Sequence, residues 1–236
     1  MEIKELLAEG STKNIYATEQ KDEVIIEFQD KMPEWAADKK ASVKGKAPIN
    51  NAISAFMFEY LSSHHIPNHF IRLLDEKSFL AKRLEMIPFK LSISNYASRN
   101  LAKRFGLESG KQLEIPIVEI YLNNRKLKNP LINEYHAFAL GLCDRTEMSN
   151  IMRITMKANA VLKSFFLRKE LIIINFQLEF GRDNGAICLG DELSVDTMIL
   201  AERNNKGEPN YKSLDITGPA PINVYRQLKE RILGSK

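Results

Sequence analysis

The chain has 236 residues, 44% of them hydrophobic and 27% charged, with a formal net charge of +4. That length suits one large domain or two small lobes with an ample core. The scattered lysines and arginines form no basic stripe, which argues against nucleic acid as a partner, and the apolar runs are too short to span a bilayer.

In chain order, Leu6 to Tyr16 predicts a strand, a turn and a strand, and Val24 to Phe28 a further strand. Asp30 to Lys46 reads as an exposed loop, long enough to suggest a functional or mobile segment. The residues before it, Met1 to Gly10, include acids and no signal-peptide core, so a cytoplasmic protein is expected. Ile49 to His64 predicts an amphipathic helix with Ile49, Ile53, Phe56, Met57, Tyr60 and Leu61 toward the core, ended by Pro67. His64 and His65 are adjacent and diverge by about 100° on a helix, so with His69 they read as surface or satisfied histidines rather than metal ligands.

Phe79 to Met86 and Phe89 to Asn95 predict two strands on either side of Pro88. Ala97 to Phe105 predicts a short basic helix closed at Gly106, Ile115 to Leu122 a strand, and Asn123 to Pro130 a polar turn. Asp144 and Glu147 form a capping box that opens a helix to about Lys169, its core face carrying Ile151, Met152, Ala158, Leu162, Phe165 and Phe166. Cys143 and Cys188 lack C-x-x-C spacing and read as reduced, buried thiols. Arg203 to Pro221 is loop-like, and Ile222 to Leu233 predicts a terminal helix.

Leu171 to Thr197 organises the rest. A nearly continuous apolar strand leads to Asp183-Asn184-Gly185, whose Asn-Gly pair favours a primed hairpin turn. Gln177, Glu179, Asp191 and Glu192 then fall near one another across the hairpin. Acidic groups at the ends of buried strands need a cationic partner. A metal ion and solvated hairpin charge, paired with Lys13 or Arg182, are the two readings. The whole pattern is α+β, in two lobes over 1–87 and 88–236 with a cleft between them.

Several segments together carry a resemblance: E-G-S-T-K-N-I-Y at 9–16, N-N at 50–51, I-P-N-H-F at 66–70, S-N-Y-A-S-R-N-L-A-K-R-F-G at 94–106, N-P-L-I-N-E-Y-H at 129–136, L-E-F-G at 178–181 and G-D-E-L-S-V-D-T at 190–197. In this order and spacing they resemble the phosphoribosylaminoimidazole-succinocarboxamide synthase (SAICAR synthetase) family over nearly the whole chain. The resemblance implies an α+β fold related to ATP-grasp enzymes and kinases, with a β-rich nucleotide-side lobe first. It also implies joining of aspartate to the carboxylate of an aminoimidazole ribotide, using ATP and magnesium, and allows a homodimer. It assigns Glu179 and Asp191 to catalysis and the metal. Gly10, Lys13, Lys82, Met86 and Gln177 fall on the nucleotide side; Ser94, Asn95, Asn100, Ser194 and Asp196 fall on the substrate side.

The chain departs from the family where charge matters. The family's Gly-Lys-x-Lys clamp is Gly10-Ser11-Thr12-Lys13 here, and its Arg-Asn pair is Ser94-Asn95. Its Lys-Asn-Asp is Asn123-Asn124-Arg125, its Asp-Pro is Asn129-Pro130, and its Asp-Phe-Lys-Leu-Glu-Phe-Gly is Asn175 to Gly181 with Asn175 and Gln177 neutral. The arginine after Ser-Pro-Asp is replaced within Met198-Ile199-Leu200. Three lost phosphate-facing cations, at about 1.5–3 kcal/mol each, amount to several powers of ten in binding or rate. The sequence therefore favours an enzyme repurposed to another small molecule. A non-catalytic binding or scaffold relative is the alternative, and the family's own reaction is the third reading.

Overall fold

The computed structural model describes residues 5–36 and 41–234. The chain forms two compact units. The first holds Met1–Leu84, Leu193–Asp196 and Asp215–Lys236; the second holds Glu85–Glu192 and Thr197–Leu214.

The first unit is an antiparallel sheet of β1 (Leu6–Glu9), β2 (Lys13–Ala17), β3 (Glu23–Phe28), β4 (Phe70–Leu73) and β5 (Ser78–Lys82), in the order β1-β2-β3-β5-β4. The β1–β2 turn needs glycine at its first position. Gly10 N–H donates to the Lys13 carbonyl at 2.8 Å, and a Cβ on Gly10 would lie 2.7 Å from that oxygen. Gly10→Ala is expected to cost about 1–3 kcal/mol by forcing this turn open, as read by urea denaturation.

Helix α1 (Lys46–Ser63) packs on β3, β4 and β5. Its amino end is anchored from a distance: Asp30 Oδ1 accepts from Ala47 N–H at 2.9 Å and Asp30 Oδ2 from Gly45 N–H at 3.1 Å. A carboxylate there satisfies exposed helix donors and complements the dipole. The segment after β3, expected to be an irregular loop, is therefore tied at both of its described ends; residues 37–40 of that expectation lie outside the described residues. His69 is a satisfied core histidine, edge-on to Phe58 at 5.1 Å between ring centroids.

Asn50, one turn into α1, is fully buried, and neither polar atom of its amide has a hydrogen-bond partner among the described residues. Leucine has similar volume and no polar atoms. Asn50→Leu is expected to raise stability by about 1–3 kcal/mol, the cost of an orphaned buried amide, measurable as a shift of the urea midpoint.

In the second unit, β6 (Glu85–Tyr96), β7 (Gln112–Leu122), β8 (Leu131–Ile132), β9 (Leu171–Asp183), β10 (Ala186–Gly190), β11 (Met198–Arg203) and β12 (Pro209–Asn210) form one sheet, ordered β12-β11-β9-β6-β7-β8. β10 and β11 share one edge of β9: β10 pairs with residues 179–183 and β11 with 171–176. Helices α2 (Arg99–Phe105), α3 (Glu134–Ala139) and α4 (Arg145–Arg168) complete the unit. The chain then returns to the first unit with α5 (Pro221–Leu233), which packs on α1.

Two expectations need correcting. The strand break falls between Lys82 and Glu85, not at Pro88, which lies inside β6. It is tolerated because the β6–β9 register shifts between Met86 and Lys90, so the ladder needs no N–H from Pro88 there. β4, β8, β12 and α3, all short, were not anticipated, and β12 lies within the stretch expected to be loop-like. The hairpin turn matches its reading: Asn184 and Gly185 have φ of 49° and 83°, the left-handed pair of a primed turn.

The capping box of α4 forms as its spacing predicts, with Glu147 N–H donating to Asp144 Oδ1 at 2.7 Å and Asp144 N–H to Glu147 Oε2 at 2.9 Å. Glu147 also receives Arg182, by Nε to Oε1 at 2.5 Å and Nη2 to Oε2 at 3.0 Å, while Arg182 Nη1 reaches Glu85 at 2.9 Å. Arg182, one proposed partner of the hairpin carboxylates, is thus committed elsewhere. Its hydrogen bonds hold the Glu147 carboxyl below its ordinary value. The folded pKa lies under the unfolded one, so this clamp contributes fully above the ordinary value of 4.5 and is lost as pH falls from there through the folded value. Arg182→Met is expected to flatten that acid limb of a stability–pH profile followed by circular dichroism. Cys143, beside this clamp, is a buried thiol outside any disulfide, pushed up to about 11 by burial, and Cys188 is likewise buried and outside any disulfide. Among the described residues no helix is long and apolar enough to cross a membrane.

Candidate functional site

The two faces of the second unit's sheet differ. Residues directly opposite on antiparallel strands share a face. Lys90 lies between Tyr121 and Glu179, Ser92 between Glu119 and Gln177, and Ser94 between Ile117 and Asn175; Asn175 in turn lies beside Ile199. These rows pave one face with hydroxyls, amides and charges. The alternate residues Leu91, Ile93, Phe176 and Leu178 are buried core. Asn95 belongs with them: it is 1% exposed and exchanges amide hydrogen bonds of 2.8 and 3.0 Å with Asn159 of α4.

On the polar face, Asn175 Nδ2 donates to both Ser92 Oγ at 2.8 Å and Ser94 Oγ at 2.9 Å. The amide's two N–H groups are spent on the serines, which leaves two serine O–H donors and the Asn175 carbonyl for other partners. Ser92 was missed by sequence reasoning, although the alternation Lys90-Leu91-Ser92-Ile93-Ser94 carries it. Along the same strands, Tyr96, Ile199 and Tyr211 pack on Ile172, Ile174 and Ala201. Thus Ser94 is part of a neutral hydrogen-bonded cluster, and the Met198–Leu200 stretch contributes apolar packing.

The hairpin carboxylates sit at the other end of this face. Glu179 is half-buried and its Oε2 accepts from Asn123 Nδ2 at 3.0 Å. It pairs with Gly190, the residue before Asp191. Asp191 is held at φ 59°, in the left-handed region that few side chains other than Asn and Asp enter. Beyond Glu119, Arg104 Nη2 bonds Glu119 Oε1, and Tyr121 O–H donates to Glu119 Oε2 at 3.2 Å. Gln177 is half-buried on the face, Asn100 is exposed on α2, and Met86 is 40% exposed near the start of β6.

The remaining predicted residues lie in the first unit. Gly10 and Lys13 shape the β1–β2 turn, and Lys82 ends β5, exposed. Ser194 and Asp196 are buried in the 193–196 segment. Sequence reasoning missed the main partner of Asp196, Lys46. This lysine is fully buried at the first turn of α1, where a cation opposes the helix dipole, and it is paired with Asp196 Oδ2. Asp196 Oδ1 accepts from Tyr225 O–H at 2.6 Å, and its carbonyl accepts from Trp35 Nε1 at 2.9 Å. One turn pair further along α1, Ser54 Oγ accepts from Leu193 N–H at 3.0 Å. Lys46, Asn50 and Ser54 therefore form an i, i+4, i+8 stripe whose two ends hold the same four-residue segment.

Among the described residues no three His, Cys, Asp or Glu side chains cluster to hold a metal by themselves. Glu179 lies opposite Gly190, which places Asp191 next along the chain from its pairing partner.

The two units, with their antiparallel sheets and flanking helices, define an α+β protein. The SAICAR synthetase family model matches residues 6–216. Phosphoribosylaminoimidazole-succinocarboxamide synthase of Chlorobium phaeobacteroides is 42% identical over 231 residues, 97% of each chain, and that of Thermoanaerobacter pseudethanolicus is 37% identical over 204 residues, 86% of this chain and 87% of the relative. Among solved structures, the Ehrlichia chaffeensis phosphoribosylaminoimidazole-succinocarboxamide synthase superposes with a TM-score of 0.89 at 30% identity, covering 98% of this chain and 100% of that one. A SAICAR synthetase in complex with ADP gives a TM-score of 0.88 at 35% identity, covering 97% and 98%. The chain belongs to the SAICAR synthetase family.

Proposed function

We propose that this chain is an ATP-dependent carbon–nitrogen ligase of that family. Its acceptor substrate presents a neutral hydrogen-bonding group where the family's ribotide presents a phosphate. The observation that carries this reading is the Ser92–Asn175–Ser94 cluster, closed on itself by bonds of 2.8 and 2.9 Å and continued by apolar packing at Ile199. Two hydroxyl donors and one amide carbonyl suit a carbonyl or carboxamide, and the three side chains themselves offer a dianion no charge to offset its desolvation. Nucleotide binding is supported by the family, one of whose solved structures is a complex with ADP.

In this reading the residues divide by task. The backbone of the Gly10 turn and Lys13 meet the nucleotide's phosphates, with Lys82 and Met86 on its base side. Glu179, steadied by Asn123, and Asp191 hold magnesium, which supplies charge neutralisation when bound. Ser94, with Ser92 and Gln177 beside it, orients the acceptor, and Asn100 completes the substrate side, while the fully buried Ser194 accepts from Asp196 N–H at 3.1 Å and shapes its own segment. Asn95 and Asp196 act from inside, Asn95 by fixing β6 to α4 and Asp196 by fixing the 193–196 segment to α1 and α5. Residues 1–87 then form the nucleotide-side lobe, in a cytoplasmic protein able to work as a homodimer.

The test is calorimetric titration with magnesium-ATP, followed by ADP release with aspartate and a panel of carboxylates bearing either a phosphate or a neutral group. Nucleotide binding with turnover of neutral acceptors only is the expected result. Absence of heat at millimolar nucleotide overturns the ligase reading, and heat without turnover of any pair points to a binding protein. The second reading is the family's own reaction, favoured by 42% identity across 97% of both chains. Growth of a strain lacking that purine step, restored by this chain, would decide for it.

A further inference from the structure

A pocket of about 420 Å³ opens in the second unit where β6 ends and β9 begins. Its floor is apolar, from Leu171, Ile172 and Ile173. Its rim carries two cations, Lys163 of α4 and Arg203 of β11, and no carboxylate lines it. Neither cation is in an ion pair among the described residues, so two like charges converge on one concavity without an opposing group. Tyr96, on the same rim, adds a half-buried phenol raised above its ordinary value by burial.

The position of Arg203 is built rather than incidental. The turn after β11 is closed by Gly207 N–H to the Asn204 carbonyl at 2.9 Å, and the Asn204 side chain accepts from Lys206 and Glu208 N–H, both at 2.9 Å. Asn204 also holds the Glu208 carboxylate, at 3.1 Å. Gly207 has φ +81°, and a Cβ there would approach Arg203 Nη2 to 3.2 Å. Glycine thus leaves room for the guanidinium to lie over the turn.

We propose that this pocket binds a small organic carboxylate with an apolar body, its carboxylate held by Lys163 and Arg203 and its body on the isoleucine floor. Arginine and lysine give the anion two charge-assisted donors. The site is independent of the ligase reading, since its residues are not those assigned to nucleotide or acceptor.

The probe is 4-phenylbutyrate, with 4-phenylbutanol as its neutral counterpart, each followed by amide chemical-shift changes in the full chain. A ligand of about a dozen heavy atoms with ordinary efficiency binds in the millimolar range. The carboxylate is expected to bind at least about tenfold more tightly than the alcohol at low salt, with shifts centred on residues 96, 163, 172 and 203, and to weaken as salt rises. The Lys163→Gln/Arg203→Gln double variant is expected to lose that preference while its amide spectrum stays folded. Gly207→Ala, which crowds Arg203 without removing it, is expected to weaken the carboxylate alone. Equal affinity for acid and alcohol, undiminished binding by the double variant, or no carboxylate shifts at millimolar concentration would overturn the proposal.

Discussion

Asp196→Ala is expected to lower the unfolding free energy of this chain by about 3–5 kcal/mol, the largest stability effect of any single replacement considered. The partner left behind is a fully buried lysine at the wrong end of a helix. Removing the carboxylate leaves Lys46 without its anion, and it also takes away the oxygen to which the Tyr225 hydroxyl donates at 2.6 Å. Tyr225→Phe, which deletes only that donor, is expected to cost about 1 kcal/mol. Replacing both charges, as Lys46→Met with Asp196→Leu, is expected to recover most of the loss, because a well-packed apolar pair of similar volume avoids both desolvation penalties. Urea denaturation gives the free energies. The fluorescence of Trp35, the chain's single tryptophan, reports the segment directly, because its indole N–H bonds the Asp196 carbonyl. A double variant no more stable than Asp196→Ala would contradict this account.

Glu179→Gln is expected to reduce turnover at least about a hundredfold and to abolish the magnesium dependence of nucleotide binding, while the sheet stays intact. The amide keeps the shape of the side chain and its contact with Asn123, and removes only the anion that magnesium prefers. Asn123→Ala should cost less, about tenfold to a hundredfold, as removal of a group that orients a ligand usually does. Titration with magnesium-ATP and with ATP alone separates the two effects. If Glu179→Gln bound magnesium-ATP as the parent does, Glu179 would have no part in holding the metal.

What the sequence disclosed and what it withheld follow from the range of the interactions. The Asn184–Gly185 turn and the Asp144–Glu147 cap were readable because each is closed within four residues by chemistry that few residue types supply. The helical spacing of α1 and α4 located their core faces in part: Ile53, Met57, Leu61, Ile151, Leu162 and Phe166 are buried as expected, whereas Phe56, Tyr60 and Met152 are half-buried, and the buried Phe58 and Ile154 were not anticipated. Pro88 was misread because a proline normally breaks a ladder, and the register shift that excuses it is a property of the pair of strands, not of either one. Lys46 was passed over because lysine in a polar loop reads as solvated; the residue that buries it lies 150 positions further on. The polar sheet face was half legible. The family motifs pointed to Ser94 and Asn175, but the bond between them spans 81 positions and could only be seen once β6 and β9 were side by side.

The discontinuity of the first unit bears on how the chain comes to be folded as it leaves the ribosome. The second unit has every one of its strands once residue 214 has emerged, whereas the first still lacks α5 and has only just received the aspartate that neutralises Lys46. Synthesis ordinarily lets the leading part of a protein mature first. Here the leading unit is the one completed last in sequence, because α5, which packs on α1, follows every strand of the second unit.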